Sequence, residues 1–146
     1  MILYVDSSAL VKRYVREPGS TELIALTGGA VAVATALISR AEVAAALARS
    51  VRLGVLDPGS GRRAQRKFAR EWPDIVRLPI TEALVMRAES AAWEYGLRGY
   101  DAVQLAAALI WRESIGEDVT VATFDRQLWD VAPEAGLPVW PATFPR

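Results

Sequence analysis

Four acidic residues, far apart in the chain, stand where a carboxylate is either costly or well placed for chemistry: Asp6, Glu42, Asp101 and Asp125. Asp6 ends the apolar run Ile2-Leu3-Tyr4-Val5, and Asp125 closely follows Val119-Thr120-Val121-Ala122, so both fall at the ends of strand-like segments. Glu42 interrupts Ala41-Glu42-Val43-Ala44-Ala45-Ala46-Leu47, and Asp101 opens Asp101-Ala102-Val103-Gln104-Leu105-Ala106-Ala107-Ala108, two helical stretches with little polar surface. Burying an ionised carboxylate without a partner costs on the order of several kcal/mol. Each acid has a plain structural alternative. Asp6 and Asp125 suit helix N-caps, Glu42 could pair with Arg49 two turns on, and Asp101 is favoured by the dipole of the helix it opens. Brought together, the four would repel one another strongly. A hard divalent cation bound by oxygen alone, Mg²⁺ or Mn²⁺, would relieve that repulsion. Ser8 and Thr123 flank the acids in sequence and could add hydroxyls to the site or simply bond their local backbone.

Composition narrows the chemistry further. The chain has no histidine and no cysteine, which excludes Ser-His-Asp catalysis, histidine acid–base pairs, thiol nucleophiles, disulfides and zinc held by imidazole or thiolate. Lys and Arg number 17 and so do Asp and Glu, so any attraction to a polyanion must come from local patches. At 146 residues, 52% of them hydrophobic, the chain is the size of one domain, 1–146, with enough apolar content for a real core. The apolar run 30–38 is far too short to span a bilayer. The N-terminus opens directly on a strand with no basic region or cleavage site, so cytoplasmic residence is the expectation.

The elements that must position these acids follow from periodicity and punctuation. Strands are predicted at 2–5, 31–34, 75–78, 119–122 and, as an edge strand, 137–140. Helices are predicted after Ser7-Ser8, from Ser20 to Leu26, over 38–53 as a buried helix apolar nearly all round, and over 62–72 as an amphipathic one. Further helices run from the Thr81 cap to Tyr95, over 101–113, and over 127–131. The segment 54–61, with Asp57-Pro58-Gly59, reads as a turn. Strands separated by helices pair in parallel. The expected class is therefore α/β, a single open parallel sheet of four or five strands with helices on both faces. In such sheets ligands bind beyond the carboxyl ends of the strands, where the strand order reverses.

Four segments carry a resemblance. Val5-Asp6-Ser7-Ser8-Ala9-Leu10-Val11-Lys12, Ser39-Arg40-Ala41-Glu42-Val43, Leu97-Arg98-Gly99-Tyr100-Asp101-Ala102-Val103-Gln104-Leu105-Ala106 and Ala122-Thr123-Phe124-Asp125 resemble, in this order, the successive motifs of PIN-domain ribonucleases, most of all the VapC-type toxins of bacterial toxin–antitoxin pairs. The resemblance covers essentially the whole chain. It implies a PIN-like fold and a Mg²⁺- or Mn²⁺-dependent endoribonuclease in which Asp6, Glu42, Asp101 and Asp125 match the metal-binding acids. Ser8 and Thr123 match the small polar positions beside the first and last. Hydrolysis by water, leaving 5′-phosphate and 3′-hydroxyl ends, is implied too, as are a homodimer and a VapB-like antitoxin whose tail crosses the acidic pocket with an arginine.

Setting the four acids aside leaves a surplus of four positive charges to attract RNA. Arg62, Arg63, Arg66, Lys67 and Arg70 form the clearest basic patch, an i,i+4 stripe with neighbours, which could hold phosphates or be a solvated helix face. Arg13 and Arg98 lie nearer the motifs, and Tyr100 could stack a base or pack in the core. Trp93 and Trp111 are candidate core or interface anchors. Two other functions are open on sequence. One is a haloacid-dehalogenase-like phosphotransferase with Asp6 as nucleophile, although Ser8 stands where such enzymes carry a second Asp. The other is a PIN-like binding module without catalysis.

Overall fold

The computed structural model describes residues 1–146 as one five-stranded sheet between two layers of helices. The elements are β1 (Ile2–Val5), α1 (Ser7–Leu10), α2 (Ser20–Gly28), β2 (Ala32–Ala36), α3 (Ser39–Arg52), α4 (Pro58–Glu71), β3 (Val76–Leu78), α5 (Glu82–Tyr95), α6 (Gly99–Ile115), β4 (Thr120–Ala122), α7 (Arg126–Val131) and β5 (Val139–Trp140). All strands are parallel, in the order β3-β2-β1-β4-β5. The order reverses between β1 and β4, so Asp6 and Asp125 emerge side by side at the switch point, where the pairing Val5↔Ala122 ends.

Strand alternation divides the core in two. Leu3, Val5 and Ala122 face α1 to α4, against Val43, Leu47, Phe68 and Trp72. Tyr4, Ala34, Ala36 and Val121 face the other way, against α5, α6 and α7. Helix α6 leads into β4 and so runs opposite to the strands, which puts its first turn, with Asp101, at the carboxyl edge of the sheet. Helix α3 starts at that same edge, just after β2, and brings Glu42 there.

Two helices differ from the sequence expectation. The segment 54–61 is only partly a turn: Asp57 accepts from the backbone N–H of Ser60 at 2.9 Å, and α4 begins at Pro58. That is an N-cap followed by proline at the first helical position, where the missing N–H costs nothing. Helix α3 is not buried all round. Val43 and Leu47 face the core, while Ala41, Ala45 and Ala48 are exposed; alanine fills an apolar-looking helix without needing cover. Helix α6 is the enclosed one, with Ala102 and Leu105 to Leu109 all buried. Gly96 closes α5 at φ 66°, a left-handed conformation natural to glycine.

Helices α3 and α4 meet closely at Gly61, where a Cβ would stand 2.5 Å from Cγ2 of Val51. Gly61→Val is expected to destabilise the protein by about 1–3 kcal/mol, with part of the loss recovered in the Val51→Ala, Gly61→Val double variant. Urea unfolding of the three proteins checks this.

Candidate metal centre

Each acid is anchored by a short, specific set of donors. Asp6 is the N-cap of α1 and is 3% exposed. Its Oδ1 accepts from the Ala9 N–H at 3.1 Å and the Ser8 hydroxyl at 2.8 Å. Asp125 caps α7, its Oδ1 accepting from the Leu128 N–H at 3.0 Å. The capping alternative is therefore true of both, and it occupies one oxygen of each. Ser8 also accepts from the Phe124 N–H at 2.9 Å and lies 3.4 Å from the Thr123 hydroxyl, which in turn accepts from the Asp125 N–H at 3.0 Å. These two hydroxyls stitch the loop after β1 to the loop after β4.

Glu42 makes no ion pair with Arg49. Its Oε2 accepts from the Ser7 hydroxyl at 3.1 Å and its Oε1 from the Gln104 amide at 2.8 Å. Neither donor was singled out from the sequence. The signal for Gln104 was present, since a lone amide in an alanine and leucine run on a buried helix must find a partner. Ser7 gave no signal beyond its place after Asp6.

Arg98, a candidate RNA contact on sequence, bridges two of the acids. Its Nε donates to Asp101 Oδ2 at 3.0 Å and an Nη to Asp125 Oδ2 at 2.8 Å, while its own side chain stays 66% exposed. Arg13 does not reach the acids. It donates to Glu71 at 2.9 Å and to Thr27 at 2.8 Å, with the Tyr14 hydroxyl on the same Glu71 oxygen, and so ties α2 to α4. Arg62, Arg63, Arg66, Lys67 and Arg70 are all exposed on α4. Tyr100 is 67% exposed rather than packed in the core. Trp111 is buried, whereas Trp93 is 86% exposed.

The electrostatics are those of crowded, desolvated carboxylates. Burial pushes Asp6 up from 3.8 to about 7, with the charge of Asp125 adding and the bonds from Ser8, Ala9 and Thr123 opposing. Glu42 is raised by burial and by Asp101, against the bonds from Ser7 and Gln104. Asp101 is raised by burial and by Asp125, against Arg98. The influences chain the four acids together in the order Asp6, Asp125, Asp101, Glu42.

This donor set, oxygen throughout and charged in a partly dry setting, fits a hard divalent ion. As the side chains stand, no three acids are close enough together to hold one ion. The Arg98 guanidinium fills the place between Asp101 and Asp125, from a side chain that is largely exposed.

The chain matches the PIN domain family over residues 3–133. It is 34% identical to Ribonuclease VapC49 of Mycobacterium tuberculosis over 142 residues, 97% of this chain and 96% of that one. It is 33% identical to Ribonuclease VapC47 of the same species, over 93% of both chains. Among solved structures, a toxin–antitoxin complex from Klebsiella pneumoniae superposes with a TM-score of 0.66 at 18% identity, over 99% of this chain and 100% of the other. FitAB bound to the IR36 DNA fragment does so with a TM-score of 0.69 at 18% identity, over 99% of each chain.

A carboxyl whose folded pKa is raised stabilises the fold below its ordinary pKa and loses that contribution as pH climbs through the folded value. For Asp6 the window runs from 3.8 to about 7, with Glu42 and Asp101 shifted in the same direction. Glu71 and Glu113, held below 4.5 by Arg13 and Arg87, change only at lower pH. The metal-free protein is therefore expected to melt several degrees higher at pH 5 than at pH 7.5. Asp6→Asn, which keeps the capping oxygen, should flatten most of that slope. Thermal melts in EDTA across this range check both statements.

Proposed function

The chain belongs to the PIN domain family and to its VapC-type ribonucleases, and on that premise we propose that it is a divalent-metal-dependent endoribonuclease, the toxin of a VapBC-type pair. The observation that supports the reading is four carboxylates placed around the switch point of the sheet, each raised by or raising its neighbour, with three of them shifted up in pKa. Asp6, Asp101 and Asp125 would hold Mg²⁺ or Mn²⁺ directly or through water, with Glu42 completing the ring. An ion there would activate water and offset the charge that develops on a phosphodiester during in-line attack. Ser8 and Thr123 fix the two loops that present Asp6 and Asp125, and the α1 and α7 caps keep those carboxylates in one rotamer each. Arg98, once clear of Asp101 and Asp125, is a guanidinium at the mouth of the site, suited to a phosphate. The basic stripe on α4 is exposed and free to hold the RNA backbone without reading sequence.

A phosphotransferase with Asp6 as nucleophile is not favoured. Ser8, whose hydroxyl is bonded to Asp6 Oδ1, stands where such enzymes carry a second Asp, and the relatives that the chain matches are ribonucleases. The two guanidinium contacts of Arg98 also bear on the partner, since they demonstrate that an arginine fits between Asp101 and Asp125. A VapB-like antitoxin that offers an arginine here would block the site by replacing Arg98 or the ion. No helix is long and apolar enough to cross a membrane.

For the homodimer, the supporting feature is an exposed apolar groove of about 370 Å³ between α5 and α6, lined by Val85, Ala88, Ala92, Tyr100 and Val103. Exposed Met86 and Trp93 flank it on α5. Val85→Glu is expected to shift the protein from dimer to monomer without lowering its helix content, as read by light scattering and circular dichroism.

Incubation with total RNA should give fragments with 5′-phosphate and 3′-hydroxyl ends in Mg²⁺, none in EDTA, and none with Asp101→Asn. Cleavage that persists in EDTA, or ends bearing a 2′,3′-cyclic phosphate, would overturn the metal reading.

A further inference from the structure

The function above leaves unexplained a polar residue deep in the molecule. Gln104 lies on α6, three positions after Asp101, and is 2% exposed. Its Oε1 accepts from the Tyr4 hydroxyl at 2.5 Å, and its Nε2 donates to Glu42 Oε1 at 2.8 Å and to the Ser39 hydroxyl at 3.1 Å. Beyond Ser39, the Thr35 hydroxyl stands 2.8 Å from Ser39 Oγ and 2.6 Å from the carbonyl of Val5. Tyr4, Thr35 and Ser39 are each 0% exposed.

Proton counting gives this chain one direction. The Val5 carbonyl can only accept, so the single Thr35 proton goes to it. The proton between Thr35 and Ser39 must then be Ser39's, and Ser39 can only accept from Gln104. That requirement turns the NH₂ of Gln104 toward Ser39 and Glu42, and its carbonyl toward the Tyr4 hydroxyl. The order therefore starts at the backbone carbonyl next to Asp6 and ends on the carboxylate of Glu42. No buried side-chain polar atom along it lacks a partner.

We propose that Gln104 is a positioning residue that holds Glu42 beside Asp101, in register with Asp6, so that the carboxylates are set to receive the divalent ion. This rests on the metal reading of the site. Glu42 sits in the first turn of α3 with three rotatable bonds and a like charge nearby, and both drive it toward solvent. Two hydrogen bonds, from Gln104 and Ser7, oppose that drive. A neutral amide is the right donor for this task, because it orients the carboxylate and leaves its charge for the cation. An arginine in its place would cancel that charge, as Arg98 does at Asp101.

The test is Mn²⁺ titration calorimetry on the full chain, with metal-free melting curves as a check on folding. Four proteins are compared: the parent, Gln104→Met, Glu42→Gln and the double variant. Gln104→Met keeps the length of the side chain and removes its donors. It is expected to bind Mn²⁺ about tenfold more weakly than the parent. If Gln104 acts through Glu42, adding Gln104→Met to Glu42→Gln produces no further loss. Two results overturn the assignment: a folded Gln104→Met protein with the parental Mn²⁺ affinity, or losses that add in full, which is the signature of a general packing defect. Tyr4→Phe removes the donor to Gln104 Oε1 and is expected to weaken Mn²⁺ binding severalfold. It replaces Gln104→Met in the same cycle if that variant does not fold. A parent protein that takes up no Mn²⁺ defeats the metal reading itself, and is told apart because it needs no variant.

Discussion

Like charges held close in a partly dry place must be neutralised, and this constraint shapes the carboxyl edge of the sheet. The parallel order β3-β2-β1-β4-β5 forces Asp6 and Asp125 out at the same crevice. Helices α3 and α6 both begin at this edge and run back against the strands, so their first turns bring Glu42 and Asp101 to it. In water such carboxylates would repel weakly. Here burial raises the cost of each charge and lengthens its reach to the others. The chain offsets this with neutral donors on Asp6 and Glu42 and with one cation of its own, Arg98, on Asp101 and Asp125.

That division of labour gives the site its chemistry. Hydroxyl, amide and backbone donors hold a carboxylate without cancelling its charge, so Asp6 and Glu42 remain available to an ion. Arg98 does cancel charge, but from an exposed side chain that solvent or a competing cation can reach. The metal-free protein is thus spared the full repulsion while keeping an exchangeable cation in the pocket. Under the proposed function, a divalent ion or an arginine from a partner would compete for what Arg98 occupies.

Much of this was legible in the sequence because strand ends and buried acids leave marks. A strand stopping at Asp6, a glutamate inside an alanine-rich helix and an aspartate opening a hydrophobic one are each costly in isolation, so the four acids stand out. Their partners do not. The bond between Gln104 and Glu42 joins residues 62 apart, and that between Tyr4 and Gln104 residues 100 apart; no local pattern encodes such pairings, although a lone glutamine on a buried helix shows that one is owed. The charge of Arg98 marks it as a candidate for phosphate, but does not show that its neighbours at one helical turn and across the switch point are Asp101 and Asp125. The partner of Arg13, Glu71, lies 58 positions on and is equally hidden from a local pattern. The start of α4 was readable from Asp57-Pro58, where the same residues serve a turn or a helix N-terminus. The burial of α3 was not, because alanine looks apolar on either face.

Under the proposed function these carboxylates converge on one cation site. Anomalous diffraction at the manganese edge, from crystals grown with Mn²⁺, tests it most directly. The expected result is a peak enclosed by Asp6, Asp101 and Asp125, with Glu42 turned toward it and Arg98 withdrawn to the rim. An empty pocket at saturating Mn²⁺, with Arg98 still spanning Asp101 and Asp125, would contradict it.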